Sequence, residues 1–355
     1  MKKVVVLGTF INALGVVRAL ARMKEYYIIV IGKNGTKNIV RWSKYPNEMV
    51  YIPEGLDELN ILLNNREDWK GAFVIPTSDD GVRMLQEKWD SLEQFYNIII
   101  DKDACGTILD KERFISVAKA ASIPSPRVYD KDEKIDFPVI IKPKGDHAKD
   151  AFKEAVGRGI LIVNNQSQWD SLKPGCLDIS IIQEYIPGEE LFFCGGYCHQ
   201  GQVQKIFAAK KIIQRPPFGG DTVVARSVKN DCLIDYTRKL LKELCYTGIF
   251  DIEFKYSKKK QEFCIIEMNP RSAKWISFPE LMGLGVIKQA LNPETDFISD
   301  YEDGKVWIDI YGLLANLFQY PSCWRSVFKY LYYLATANYF AVFDRKDMKP
   351  FLKRR

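Results

Sequence analysis

Two acidic residues, Glu253 and Glu267, sit inside short apolar runs that read Gly248-Ile249-Phe250-Asp251-Ile252-Glu253-Phe254 and Ile265-Ile266-Glu267-Met268-Asn269-Pro270-Arg271. The polar residues 257–260 between the runs predict a turn, so the two runs read as adjacent antiparallel strands. Side chains alternate along a strand, so Glu253 and Glu267 are expected on one face, with Asn269 two positions on and pointing the same way. Two carboxylates and an amide oxygen are hard ligands of the kind magnesium takes, leaving its other positions to water and phosphate. Arg271, two residues further, is suited to stabilise charge on a transferring phosphoryl group. A plain surface hairpin is the poorer account, because Glu267 lies among Cys264, Ile265, Ile266 and Met268, where an acid without a partner is costly.

Cations suited to phosphate lie upstream. Lys142 ends the apolar strand expected at 139–142, and Lys111 opens a helix expected at 111–122; a lysine ammonium is a compact point charge for a polyphosphate. Residues 77–80, Thr-Ser-Asp-Asp, follow the strand expected at 73–75 and stand at the edge where open sheets bind ligands, so Ser78 is a candidate substrate contact. The competing reading of Ser78 is a helix N-cap.

These residues need a scaffold. Residues 4–7 read as a buried strand, 13–23 as an amphipathic helix and 27–31 as a second strand. Strands near 73–75 and 97–100 flank a helix expected at 80–92, which predicts a parallel, helix-covered sheet. The turn after the first strand, Gly8 to Gly15, lacks the G-x-G-x-x-G spacing of a dinucleotide site and reads as a tight strand-to-helix turn. After residue 105 the alternation gives way to a mostly antiparallel α+β pattern, with strands expected at 139–142, 160–163, 179–183, 191–196, 203–209, 249–256 and 262–268 and a polar loop at 145–159. Residues 306–343 are rich in Trp, Tyr and Phe, and Arg325, Lys329 and the basic C-terminus leave room there for peripheral membrane contact.

The motifs resemble the ATP-grasp superfamily. Glu253, Glu267, Asn269 and Arg271 are similar to its metal-binding signature, Asp110-Lys111 to its D-K helix start, and Phe137-Pro138-Val139-Ile140-Ile141-Lys142-Pro143 to its P-V-I-I-K-P strand. Gln183-Glu184-Tyr185-Ile186-Pro187-Gly188-Glu189-Glu190 is similar to its hinge. The resemblance covers roughly residues 3 to 290. It implies an α/β domain with a parallel sheet at 1–104, a pre-ATP-grasp Rossmann-like domain, then a two-lobed α+β ATP-grasp domain at 105–295 with its small lobe at about 125–185, then an aromatic, basic C-terminal extension at 296–355. It implies ATP bound by Lys111 and Lys142, adenine met by the backbone of Glu184, Tyr185 and Ile186, ribose by Glu190, and magnesium, with manganese as a substitute, held by Glu253, Glu267 and Asn269. Arg271 and Lys142 are the implied catalytic residues. Arg215, Gly219 and Gly220 resemble the segment bordering the acceptor site in carboxylate–amine ligases related to D-aspartate ligase, and Arg271 there meets a substrate carboxylate. The charged loop after Lys142 departs from the glycine- and serine-rich loop of many relatives.

The function so implied is ATP-dependent amide formation between a small carboxylate, such as an amino acid, and an amine, through an acyl phosphate. Other ATP-grasp activities such as carboxylation, a non-catalytic nucleotide-binding regulator, and a nicotinamide-dependent dehydrogenase supported only by the first βαβ unit are the alternatives. A net charge of +6 suits anionic substrates, and with no recognised nucleic-acid motif no nucleic-acid partner is expected. The eight cysteines are scattered without metal-site spacing, which predicts reduced thiols in a cytoplasmic protein. No apolar run reaches the length of a membrane span, and the N-terminal run breaks too early for a signal peptide.

Overall fold

The first strand is apolar at every position after Lys3, and Val4, Val5 and Val6 are all fully buried. A strand buried on both faces belongs to a sheet covered on both sides. That sheet consists of β1 (Lys2–Leu7), β2 (Tyr26–Lys33), β3 (Glu48–Ile52), β4 (Phe73–Pro76) and β5 (Asn97–Ile98), ordered β3-β2-β1-β4-β5. Its pairings are parallel, as the βαβ alternation predicts. The structure, a computed structural model, describes residues 1–35, 38–53, 56–145, 148–188, 190–217, 219–293 and 300–353.

The turn after β1 has a packing explanation. Gly8 adopts φ +128°, and a Cβ there would lie 2.2 Å from the Thr77 hydroxyl, which itself donates to the Leu7 carbonyl at 2.7 Å. Only glycine permits both this φ and this approach, and together they bring the ends of β1 and β4 to one edge. The helix expected at 80–92 is interrupted, running Asp79–Glu87 and then Trp89–Leu92.

A second sheet holds β6 (Val128–Tyr129), β7 (Val139–Pro143), β8 (Leu161–Val163) and β9 (Ser180–Glu184), ordered β6-β9-β7-β8 and antiparallel. Within the expected loop at 145–159 the structure has a helix, Lys149–Val156. Its charged residues conceal a single inward position: Phe152 is fully buried against Val139 and Ile141. Gly157 ends it with φ +78°, the left-handed cap conformation that favours glycine.

The third sheet is the largest: β10 (Leu191–His199), β11 (Gln202–Arg215), β12 (Asp221–Ser227), β13 (Gly248–Ser257), β14 (Glu262–Asn269), β15 (Val306–Ile308) and β16 (Tyr339–Phe340). Its order is β14-β13-β10-β11-β12-β15-β16, antiparallel except for β15 with β16. One face, carrying Cys194, Ala208, Ile252 and Phe254, packs on Leu233, Leu240 and Leu241 of the helix Asp231–Glu243. On the other, Phe193, Phe207 and Trp275 share a core with Leu14, Val17 and Val30 of the N-terminal sheet and its helix Ile11–Met23. The aromatic C-terminal stretch supplies β15 and β16, and it is pinned to the N-terminal domain by the buried pair Arg18 and Asp347, 3.0 Å apart.

Candidate active site

The hairpin β13–β14 places Glu253 directly opposite Glu267 and Asp251 directly opposite Asn269. By strand alternation these four side chains share one face. The Asn269 amide nitrogen donates to Asp251 Oδ2 at 3.0 Å, which turns its amide oxygen toward Arg271 Nη2 at 3.4 Å. Among the described residues no group of three or more His, Cys, Asp or Glu side chains is arranged to hold a metal ion. The donor set is instead an opposed carboxylate pair with an amide oxygen beside it. Next to it, the buried Asp251 Oδ1 has no hydrogen-bond partner, an orphaned anionic oxygen that a cation would satisfy. This set suits magnesium, which completes its octahedron with water and phosphate oxygens.

A third strand reaches the same spot. Lys211 of β11 stands opposite Leu191 of the intervening β10, and its Nζ lies 2.5 Å from Glu253 Oε1, with side-chain exposures of 4% and 19%. Burial pushes the Glu253 carboxyl up to about 7, with Lys211 opposing the shift and Glu267 adding to it. Burial likewise pushes Asp251 up to about 6, against the pull of Lys211 and Arg271. For Lys211 itself burial works against the charge, but Glu253, Asp251 and Glu267 together outweigh it and the ammonium is held above its ordinary range. In low dielectric, paired carboxylates resist ionising together unless cations compensate them.

Facing this cage from the second sheet is Lys142, whose ammonium is depressed by burial and supported by Glu267 and Glu253. Lys255, two residues past Glu253 on β13, is also depressed, first by burial and then by Lys142. Two ammonium groups that burial disfavours, brought to one place beside the carboxylates, make a site for an anion. Lys111 joins them from the start of its helix, donating to the Pro143 carbonyl at 2.8 Å, one residue beyond Lys142. Arg271 is fixed from the N-terminal domain: its Nε lies 2.5 Å from Asp79 Oδ1, and Lys149 approaches the same carboxylate at 3.7 Å. Burial disfavours the Arg271 charge, and Asp79, with Asp251 and Glu267, more than offsets this, so its pKa is raised.

The remaining candidates are distributed as follows. At the segment linking the two lobes, the Glu184 carboxylate takes Lys260 at 2.7 Å and its N–H donates to the Arg127 carbonyl, while the Tyr185 N–H donates to Pro138. The Tyr185 ring lies 5.1 Å from the Lys255 ammonium, and Ile186 is buried. Glu190 is bonded to Lys210 at 3.0 Å. Lys210 stands opposite Phe192, so it is on the alternate strand face from Lys211. Arg215 donates to Gln319 of the C-terminal helix at 2.8 Å, with Gly219 and Gly220 in the turn that follows. Ser78 is the N-cap of the helix at Asp79, accepting from the Gly81 N–H at 3.2 Å. Asp146, His147 and Glu189, part of the charged loop and hinge, lie outside the described residues.

Sequence reasoning passed over Lys211, Asp251, Lys255 and Asp79. Lys255 and Asp251 were within reach of the period-two rule, being two positions either side of Glu253. Lys211 carried the same signal as Glu267, a charge inside an apolar run, Ala208-Ala209-Lys210-Lys211-Ile212-Ile213.

No family model matches the chain. Among curated proteins it is 20% identical over 318 residues to the D-aspartate ligase of Enterococcus faecium, covering 80% of this chain and 74% of that protein. Among solved structures it resembles the N5-carboxyaminoimidazole synthetase of Staphylococcus aureus complexed with ADP, with a TM-score of 0.63 at 15% identity over 89% of this chain and 85% of that one. It also resembles the biotin carboxylase domain of the 2-oxoglutarate carboxylase of Hydrogenobacter thermophilus, solved with MgADP and bicarbonate, with a TM-score of 0.64 at 18% identity over 86% and 73% of the two chains. This chain has the architecture of these two solved structures.

Proposed function

We propose that this chain, which has the ATP-grasp fold, is an ATP-dependent carboxylate–amine ligase that forms an amide through an acyl phosphate. The observation that carries the reading is the directly opposed pair Glu253 and Glu267, with Lys255 two residues on along β13 and with Lys142 of the second sheet near enough for both carboxylates to support its charge. A polyphosphate there neutralises two ammonium groups that burial disfavours. Magnesium, or manganese in its stead, would be held by Glu253, Glu267 and Asn269, and when bound it neutralises charge on the β- and γ-phosphates.

The chain's own groups do the rest. Lys142 and Lys111 hold phosphate oxygens; the backbone of Glu184, Tyr185 and Ile186 meets the adenine, and Glu190 exchanges Lys210 for the ribose hydroxyls. Arg271, oriented by Asp79, steadies the substrate carboxylate as one of its oxygens attacks the γ-phosphorus and ADP departs. The amine nitrogen then attacks the acyl carbon, phosphate leaves with that oxygen, and one proton is released from nitrogen. Arg215, Gly219, Gly220 and Ser78 border the pocket proposed for the carboxylate and amine, which are small molecules such as an amino acid. Named relatives are ligases that form carbon–nitrogen bonds, which supports this chemistry over a purely regulatory role. Among the described residues no helix is long and apolar enough to cross a membrane; the eight unpaired cysteines support a cytoplasmic site of action.

The test is an ATP-turnover screen over amino acids and small carboxylates with amines, products identified by mass spectrometry. With a carboxylate carrying heavy oxygen, the acyl-phosphate route moves one label into inorganic phosphate. Label recovered in AMP would instead mean adenylation and would end this reading.

A further inference from the structure

Between Asp309 and Asp344 the chain contains no acidic residue, and its only charged side chains there are Arg325 and Lys329. This stretch folds as the helices Ile310–Gln319 and Val327–Thr336, joined by a short turn, Pro321–Ser326. The inward sides are accounted for: Leu313, Cys323, Tyr330 and Tyr333 are buried with Val223, Val306 and Ile308 of the large sheet. The outward side is apolar as well. Phe328 is 83% exposed, and Leu331 and Tyr332 54% each, at spacings that line one helical face, and Trp324 in the turn before them is 57% exposed. On the adjoining helix Phe318 is 82% exposed. A helix apolar on both sides is normally buried on both, so this face is built to be covered.

We infer that it docks on an anionic lipid surface, with the aromatic row entering the headgroup layer while Arg325 and Lys329 meet lipid phosphates. Three observations choose this occupant. Exposed Trp, Tyr and Phe beside Lys and Arg, with no acid among them, is the composition of an interfacial helix. A second copy of the chain would bring the same cations together, with no acidic residue between 310 and 343 in either chain to pair with them. The basic end of the chain lies beside the first of these helices. The Tyr311 hydroxyl donates to the Phe351 carbonyl, which sets exposed Leu352, Lys349 and Lys353 beside the first helix. This docking is independent of the ligase reading, since none of these residues lines the ATP cleft.

Flotation of the full chain with vesicles tests it, using phosphatidylcholine alone or mixed with phosphatidylglycerol. The wild type is expected to float with the mixed vesicles, less so as salt is raised. Phe318→Ser with Phe328→Ser lowers partition by about tenfold or more, with an unchanged thermal midpoint as the control for folding. Arg325→Gln with Lys329→Gln removes the preference for phosphatidylglycerol. A wild type that stays unbound, or a double-Ser variant that floats as well as the wild type, overturns the inference. So does a lipid-free dimer that the double-Ser variant dissolves, because the face then belongs to a second copy.

Discussion

Lys211 Nζ lies 2.5 Å from Glu253 Oε1, and the pair is formed across an intervening strand with 4% of the lysine side chain exposed. The ammonium is therefore an internal counter-charge for a carboxyl that burial has already pushed to about 7. Lys211→Met removes it and raises that carboxyl further, so the acid limb of kcat/KM moves to higher pH and turnover at neutral pH falls by about a hundredfold. Initial rates across pH check this; an acid limb that does not move counts against the role.

Glu267→Gln keeps the shape and oxygen count of the opposed pair but removes one charge. Turnover is expected to fall by about a hundredfold or more at saturating magnesium, with a thermal midpoint close to wild type. Near-normal turnover would remove Glu267 from the cage.

Lys142→Ala deletes one cation of the cleft. A charge-assisted hydrogen bond contributes about 1.5–3 kcal/mol, so ATP should bind roughly tenfold to a hundredfold more weakly. Calorimetry reads this directly, and an unchanged dissociation constant refutes the contact.

Stability without nucleotide should depend on pH through Glu253. Its carboxyl titrates near 7 when folded and near the ordinary glutamate value of 4.5 when unfolded, so between those values the folded state holds a proton that the unfolded state has released. Stability from this group is therefore full below about 4.5 and declines as pH rises to about 7. Glu253→Gln cannot titrate, so the difference in thermal midpoint between wild type and variant should change across that window and level off above it. A difference that is constant with pH contradicts the shift.

Asp347 accepts from Arg18, Ser43 and the Lys44 N–H, and so ties the C-terminal segment to the N-terminal domain. Asp347→Ala leaves the Arg18 guanidinium buried without its carboxylate, at an expected cost of about 3–5 kcal/mol. Urea unfolding measures it. A loss below about 1 kcal/mol would mean that the C-terminal segment is attached by its apolar contacts alone.

What the sequence determined by itself was local and periodic. The alternation around Glu253 and Glu267, with a polar turn between, is enough to bring both carboxylates to one face, and the structure pairs them directly. The apolar run at 4–7 was legible as a doubly buried strand for the same reason: a side chain's direction along a strand follows from position alone. The helix Lys149–Val156 escaped because one buried residue, Phe152, carries its inward face and its other positions are mostly charged or alanine. The tertiary structure alone decided which distant segments became neighbours. Lys211 meets Glu253 only because β10 lies between β11 and β13, Asp79 meets Arg271 only because the two domains close on each other, and β15 and β16 join the large sheet at its far edge. Those meetings depend on strand order and domain packing, which are set by the collective burial of apolar surface over the whole chain rather than by any window of it.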